Sequence, residues 1–254
     1  MSQVIAIINQ KGGVGKSTTA INLAAALGDL GKRGLVVDFD PQGNATSGFG
    51  VDKDALEADV YDALMDEETP ISSVIVPSPV EGVYVAPATI QLAGAEIELV
   101  SVMARESVLR YTLEPVRDEY DYVFIDCPPS LGLLTVNALV AADSLLIPIQ
   151  CEFYALEGLS KLLESMRLVR GRLNPSLDVY GVVMTMFDVR TILSRDVVEN
   201  VREYFGSKVF ETVIPRNVKL SEAPSHGLPA NRYAPTCKGA QAYEELAREV
   251  IARG

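Results

Sequence analysis

The chain has 254 residues, 48% of them hydrophobic, with 34 acidic against 22 basic side chains and a net charge of −12. That length and apolar content can bury a large core, expected as one domain over residues 1–254, while the negative balance argues against a uniformly basic nucleic-acid binder. Cys127, Cys151 and Cys237 form no close pair, which argues against a zinc site or disulfide framework and fits a reducing cytosol, and the longest apolar stretch, 131–149, is broken by Asn137, Asp143 and Pro148, short of a membrane span.

The opening Met1-Ser2-Gln3-Val4 lacks a charged n-region and runs straight into an apolar segment, so neither a signal nor a transit peptide is expected. Val4 to Ile8 has the near-continuous apolarity of a strand buried on both faces, and Ile21, Leu23, Ala24, Leu27 and Leu30 follow helical spacing. Between them lies Lys11-Gly12-Gly13-Val14-Gly15-Lys16-Ser17-Thr18, a glycine-rich loop joining a strand to a helix N-terminus. Unpaired backbone N–H groups and the positive end of the helix dipole face an anion there, and glycines let the backbone approach it closely. Such a loop binds nucleotide phosphates, with Lys16 reaching the β- and γ-phosphates and Ser17 offering a hydroxyl to Mg²⁺. Where the usual motif opens on glycine this chain has Gln10, and Lys11 adds a second lysine inside the loop. One nucleotide offers few places for two ammonium groups, so Lys11 either serves another nucleotide or is solvated. The two-lysine loop resembles that of the deviant Walker-A ATPases, the ParA/MinD group. That resemblance implies that Lys11 reaches across a dimer to the partner's ATP.

Next, Gly34-Leu35-Val36-Val37-Asp38 reads as a second buried strand, ending in carboxylates and the turn Asp40-Pro41-Gln42-Gly43-Asn44. Carboxylates at a strand's C-terminal end point into the crevice where α/β sheets bind ligands. Asp38 either hydrogen-bonds loop backbone or serves the metal's water shell. The Asp-Pro-Gln-Gly-Asn stretch resembles the switch segment of the same family, which implies that Asp40 orients the attacking water; positioning suffices for phosphoryl transfer. The run from Asp52 to Glu68, eight acids against Lys53, reads as a solvated helical face. Helices are expected over 59–65 and 101–116 and a short strand over 83–85. The Gln91 to Leu99 segment resembles the ParA/Soj branch without disclosing a chemical role.

Tyr120 to Asp126 is an apolar strand ending in Asp126, the Walker-B arrangement, where a carboxylate accepts hydrogen bonds from Mg²⁺-bound water. The Cys127-Pro128-Pro129-Ser130 turn follows, where a γ-phosphate could be sensed, with Cys127 expected as a buried bystander. A helix is then expected over 131–140, a strand over 144–150, a helix over 156–173 and a strand over 180–186. This βα alternation predicts an α/β fold with a mostly parallel sheet covered by helices on both faces. Gln150-Cys151-Glu152-Phe153-Tyr154 ends a strand near the crevice, and Glu152 there either touches a partner or caps the next helix.

Thr185-Met186-Phe187-Asp188 lacks the Asn-Lys pair of guanine-reading strand ends, which favours ATP. Val213-Ile214-Pro215-Arg216-Asn217 resembles the adenine-contacting segment of the ParA/Soj family, implying Pro215 and Asn217 as base contacts. Residues 184–254 hold 10 basic against 9 acidic side chains, whereas 1–183 hold 12 against 25, so a basic patch can form in the last quarter. Arg190, Arg195, Arg216, Lys219 and Arg232 lie where they can face outward together, either to neutralise DNA phosphates without reading sequence or as scattered surface charges. Arg190 and Lys219 stand where the chromosomal ParA/Soj branch places its DNA-binding cations. His226 is expected as a structural hydrogen-bonder, and the closing helix, 240–252, packs on the core with an acidic polar face, unlike a membrane anchor.

The resemblance to chromosome-partitioning ATPases of the ParA/Soj type covers nearly the whole chain. It implies ATP and Mg²⁺ as cofactors, an ATP-bound homodimer, non-specific binding of double-stranded DNA, a ParB-like centromere-binding partner that accelerates hydrolysis, no membrane, and a cytoplasmic, nucleoid-associated location. The other readings are a MinD-like membrane-cycling ATPase and a metabolic enzyme on the same fold.

Overall fold

The computed structural model describes residues 2–153 and 159–254. Among them eight strands form one sheet: β1 (Gln3–Ile7), β2 (Gly34–Asp38), β3 (Val76–Pro77), β4 (Val83–Ala86), β5 (Tyr122–Asp126), β6 (Ser144–Gln150), β7 (Asp178–Phe187) and β8 (Val209–Pro215). Their order is β3-β4-β2-β5-β1-β6-β7-β8, and every pair is parallel except the antiparallel β3–β4. The α/β fold expected from the alternation is therefore the fold observed.

The pleat sends alternate side chains of β1 to opposite faces. Val4 and Ala6 join one core with Leu35, Val37, Val123 and Ile125, while Ile5 and Ile7 join the other with Val36 and Phe124. The first core is closed by the helices Leu133–Ala141, Leu159–Arg172 and Ile192–Phe205, the second by Lys16–Asp29 and Lys238–Arg253. A central strand that must satisfy both cores can carry no polar side chain until its end, which is why β1, β2 and β5 read as unbroken apolar runs.

The closing helix buries Tyr243, Leu246, Ala247 and Val250, as its spacing predicts, and the Tyr243 hydroxyl meets Thr19 Oγ1 at 3.0 Å. Two expectations need correction. The helix predicted over 101–116 begins only at Val108, because Ala104 adopts a left-handed φ of 54° and the chain turns there, with Arg105 donating to the Val100 carbonyl at 2.9 Å. The helix predicted over 156–173 is seen as Leu159–Arg172, and residues 156–158, like Tyr154, lie outside the described residues.

Candidate nucleotide site

β1 lies between β5 and β6, where the strand order changes direction, and the crevice beyond the C-terminal ends of these strands is where open α/β sheets bind ligands. Register places Ile7 beside Asp126 and Asp126 beside Asp38, so two carboxylates emerge at the level where the glycine-rich loop begins. The loop takes backbone conformations that L side chains resist, φ 76° at Gly13 and 93° at Gly15, and Gly15 is the N-cap of the Lys16–Asp29 helix. Asn9 Nδ2 donates to the Pro148 carbonyl at 2.7 Å and Thr185 Oγ1 to the Val14 carbonyl at 2.8 Å, so the ends of β6 and β7 hold the loop in place.

Two adjoining cavities open from this loop and share Gly15, Thr18, Met186, Leu220 and Ser221. The first, of about 460 Å³, brings together Gly12, Gly13, Lys16, Ser17, Asp40, Gln42 and Pro129. The second, of about 390 Å³, has apolar walls of Met186, Ile214, Pro215, Val218 and Tyr243 with Asn217 and Arg216 at its polar side. The sizes and linings differ in the way a triphosphate and a planar base differ. Asn217 Oδ1 accepts the Lys219 N–H at 2.9 Å as a helix cap, which leaves the amide nitrogen as the group that could face a base.

Charge is concentrated around Lys16, which is almost fully buried and whose ammonium donates to the Lys11 carbonyl at 3.4 Å. Burial lowers the Lys16 pKa, and Asp126 foremost, with Asp40 among the others, opposes that shift. Asp126 is fully buried and neither of its oxygens meets a hydrogen-bond partner at full geometry; the Ser17 hydroxyl is nevertheless near enough to favour its charged form. Burial and the adjacent Asp38 carboxylate push the Asp126 pKa well above the ordinary carboxylate range. A buried carboxylate without a well-formed hydrogen bond, next to the Ser17 hydroxyl, fits the water shell of a hard cation, so Ser17 and Asp126 could hold Mg²⁺.

Asp38 is occupied otherwise: Oδ2 accepts from Thr46 N and Thr46 Oγ1, both at 2.7 Å, and Oδ1 from Asp40 N at 3.3 Å. Of the two roles open to Asp38, the geometry supplies the backbone one, fixing the turn that presents Asp40 to the phosphate cavity. Lys11 is not simply solvated, since its ammonium forms an ion pair with Glu152. The same contact brings Glu152 back to the loop, while the capping role expected for it concerns residues outside those described. Cys127 is fully buried and its thiol pKa is pushed up, chiefly by that burial, which suits a bystander.

The cations expected on the outer surface divide into two sets. Arg190 donates to Asp188 through N, Nε and Nη2 at 3.0, 2.9 and 2.7 Å, holding the Asp188 carboxyl well below the usual range, and Arg216 bears on the same carboxylate. Arg195 donates to the Val189 carbonyl at 3.0 Å, and Lys219 pairs with Glu222 at 2.7 Å. Arg216 lines the second cavity, Arg190 follows the C-terminal end of β7, Arg195 lies in the helix after it and Lys219 follows the end of β8. Arg232 is instead committed to Asp29 at 2.5 Å, at the end of the Lys16–Asp29 helix. His226 stacks on the Tyr233 ring at 4.6 Å, a packing contact where a hydrogen bond was expected.

Sequence reasoning missed Thr185 as the loop's anchor and Met186 as a wall of both cavities. Met186 holds a left-handed φ of 53°, the sort of strained backbone that gathers at ligand sites. Both sit at the C-terminal end of a parallel strand, the position that could have marked them.

A family model described as an AAA domain matches residues 2–179. The sporulation initiation inhibitor protein Soj of Bacillus subtilis is 58% identical over 254 residues, covering all of both chains, and the chromosome-partitioning ATPase Soj of Treponema pallidum is 52% identical over 253 residues, covering 100% of this chain and 98% of that one. Among solved structures, cobyrinic acid a,c-diamide synthase from Mycobacterium smegmatis with bound ATP analog and magnesium superposes with a TM-score of 0.86 at 38% identity, over 99% of this chain and 95% of that one.

Proposed function

The chain belongs to the Soj/ParA family of chromosome-partitioning ATPases, and from that premise we propose a nucleotide cycle that switches its grip on DNA. It hydrolyses ATP with Mg²⁺. The observation that carries the site assignment is the convergence of Lys16, Ser17, Asp40 and Pro129 on one cavity that continues into an apolar pocket lined by Pro215 and Asn217. Backbone N–H groups from Gly12 to Thr18 and the helix N-terminus receive the phosphates, and Lys16 neutralises charge on the β- and γ-oxygens. Mg²⁺ supplies further neutralisation when held by Ser17 and, through water, by Asp126. Asp40 aligns a water against the γ-phosphorus, for which a weak base suffices because the transition state is loose. Pro215 and Asn217 receive the adenine.

Two ATP-bound copies close face to face, each Lys11 exchanging its Glu152 contact for the partner's nucleotide. The pair presents Arg190, Arg195, Arg216 and Lys219 twice over, so phosphate contacts on double-stranded DNA double and binding strengthens by avidity and counterion release. Hydrolysis, accelerated by a ParB-like centromere-binding protein, dissolves the pair and frees the DNA. Such a protein works in the cytoplasm on the nucleoid. Among the described residues no helix is long and apolar enough to cross a membrane, and Lys238–Arg253, where Glu244, Glu245 and Glu249 balance Lys238, Arg248 and Arg253, lacks the basic excess of a membrane-surface anchor. A metabolic role has support in the 38% identical synthase, but the curated partitioning relatives match at 52–58% over full length.

DNA co-sedimentation with ATP, ADP or no nucleotide across a salt series tests the cycle. Binding confined to the ATP state and weakening steeply with salt is expected. Equal retention in all three states would remove the switch.

A further inference from the structure

Two of the cations assigned to DNA, Arg190 and Lys219, each carry a carboxylate of their own. Asp188 takes three hydrogen bonds from Arg190, two of them from the guanidinium in a bidentate pairing, and Arg216 bears on it as well. Glu222 accepts from Lys219 Nζ at 2.7 Å and from the Tyr233 hydroxyl at 3.1 Å, with the Lys219 ammonium 5.4 Å from the Tyr233 ring. A bidentate carboxylate occupies the same fork geometry that a phosphate would take on an arginine. Both pairs are local, spanning two and three residues, so they form in a single copy without any partner.

We propose that Asp188 and Glu222 are built-in phosphate surrogates that mask Arg190 and Lys219, setting the DNA affinity of one copy below a useful threshold so that only paired copies bind. The inference rests on the DNA-binding reading above and adds its regulation. Exposed ion pairs are weak and salt-screened, which is what a reversible mask requires: DNA can displace the carboxylate, but each displacement subtracts from the gain. A single copy then meets DNA with much of its charge already spoken for. Two copies double the net gain left after unmasking, while the loss of rigid-body freedom on binding is met only once, so the pair crosses the threshold that one copy misses.

The test uses the full chain with Asp188→Asn, Glu222→Gln and both together. Each amide keeps an oxygen acceptor, for the Arg190 backbone N–H and the Tyr233 hydroxyl respectively, so local structure is retained, and because the two sites are independent either variant alone reads the effect. Anisotropy with a fluorescent duplex is measured in ADP and in a non-hydrolysable ATP analogue across a salt series. Each substitution is expected to raise affinity in ADP roughly 3-fold near 0.1 M salt, the double variant roughly 10-fold, and each to steepen the slope of log K against log salt by up to about one. DNA-free ATPase turnover stays at the wild-type level. An equal gain from the exposed Glu67→Gln would overturn the proposal, since net charge alone would then explain it. No gain in either variant, while wild type binds in the ATP state and Arg190→Glu loses binding, would overturn masking and leave the DNA reading standing. Absence of binding by every form in every nucleotide state would overturn the DNA reading itself, and masking with it.

Discussion

Replacing Asp126 by asparagine should stabilise the nucleotide-free protein while weakening its response to Mg²⁺ and ATP. The wild-type carboxylate is fully buried, lacks a geometric hydrogen-bond partner and faces Asp38 across the β2–β5 pair. Asparagine keeps the volume and removes the charge. Lys16, which loses one neighbouring carboxylate, retains Asp40. A buried polar group without partners costs about 1–3 kcal/mol and a charge more, while asparagine still has unmet hydrogen-bonding capacity, so a net gain of about 1–2 kcal/mol is expected. For a chain of this size that is a rise of roughly 2–8 °C in melting temperature. The pH dependence has a definite sign. Because the folded pKa of Asp126 is raised, the folded state keeps its proton at pH values where the unfolded chain has lost it. Stability from this site is therefore greatest at low pH and falls as pH climbs from about 4 through the raised value. Asp38, also raised by burial, titrates with it as a pair. The advantage of Asp126→Asn should grow as pH is raised above the ordinary carboxylate range, measured by scanning calorimetry without nucleotide. Adding Mg²⁺ and ATP should raise the wild-type melting temperature by more than the variant's, which keeps the loop and base contacts but loses the carboxylate facing the metal's water shell. A variant that melts lower at pH 7, or a difference flat with pH, would refute this account of Asp126.

Three further outcomes follow from the same geometry. Lys16→Ala should weaken ATP binding at least about 100-fold by calorimetry, because it removes the one ammonium buried in the phosphate cavity among the described residues; tight binding would detach the loop from the site. Asp40→Ala should leave an ATP-bound dimer detectable by light scattering with turnover down roughly 10–100-fold, and normal turnover would take Asp40 out of the reaction. Arg190→Glu with Lys219→Glu should cut DNA affinity roughly 10–100-fold and spare DNA-free ATPase activity; an unchanged gel shift would move the DNA surface elsewhere.

Much of the site was legible because its chemistry is local. The glycine loop, the strand before it and the helix after it span fewer than thirty residues, and steric freedom at Gly13 and Gly15 is a property of those residues alone. Asp126 was equally plain, as a carboxylate ending an apolar strand. What escaped was set by neighbours distant in the chain. Thr185 anchors a loop 171 positions away, and Asp38 turns from metal candidate to backbone clamp only because Thr46 folds over it. The helix predicted over 101–116 was shortened by a left-handed Ala104 that no periodicity reveals.

The outward cations show the same division. Their existence in the last quarter is a matter of composition, yet Arg232 leaves the group because Asp29 stands at the end of the first helix, and Arg190 and Lys219 gain carboxylates through turns only the folded chain closes. By itself the sequence determined a mostly parallel α/β sheet, a glycine-rich loop between strand and helix and a carboxylate strand end, since apolar periodicity and glycine act over a few residues. Only the tertiary structure decided which side chains share a cavity, which acids are left without donors and which bases are already paired, because burial and Coulomb interaction depend on distance in space and take no account of distance along the chain.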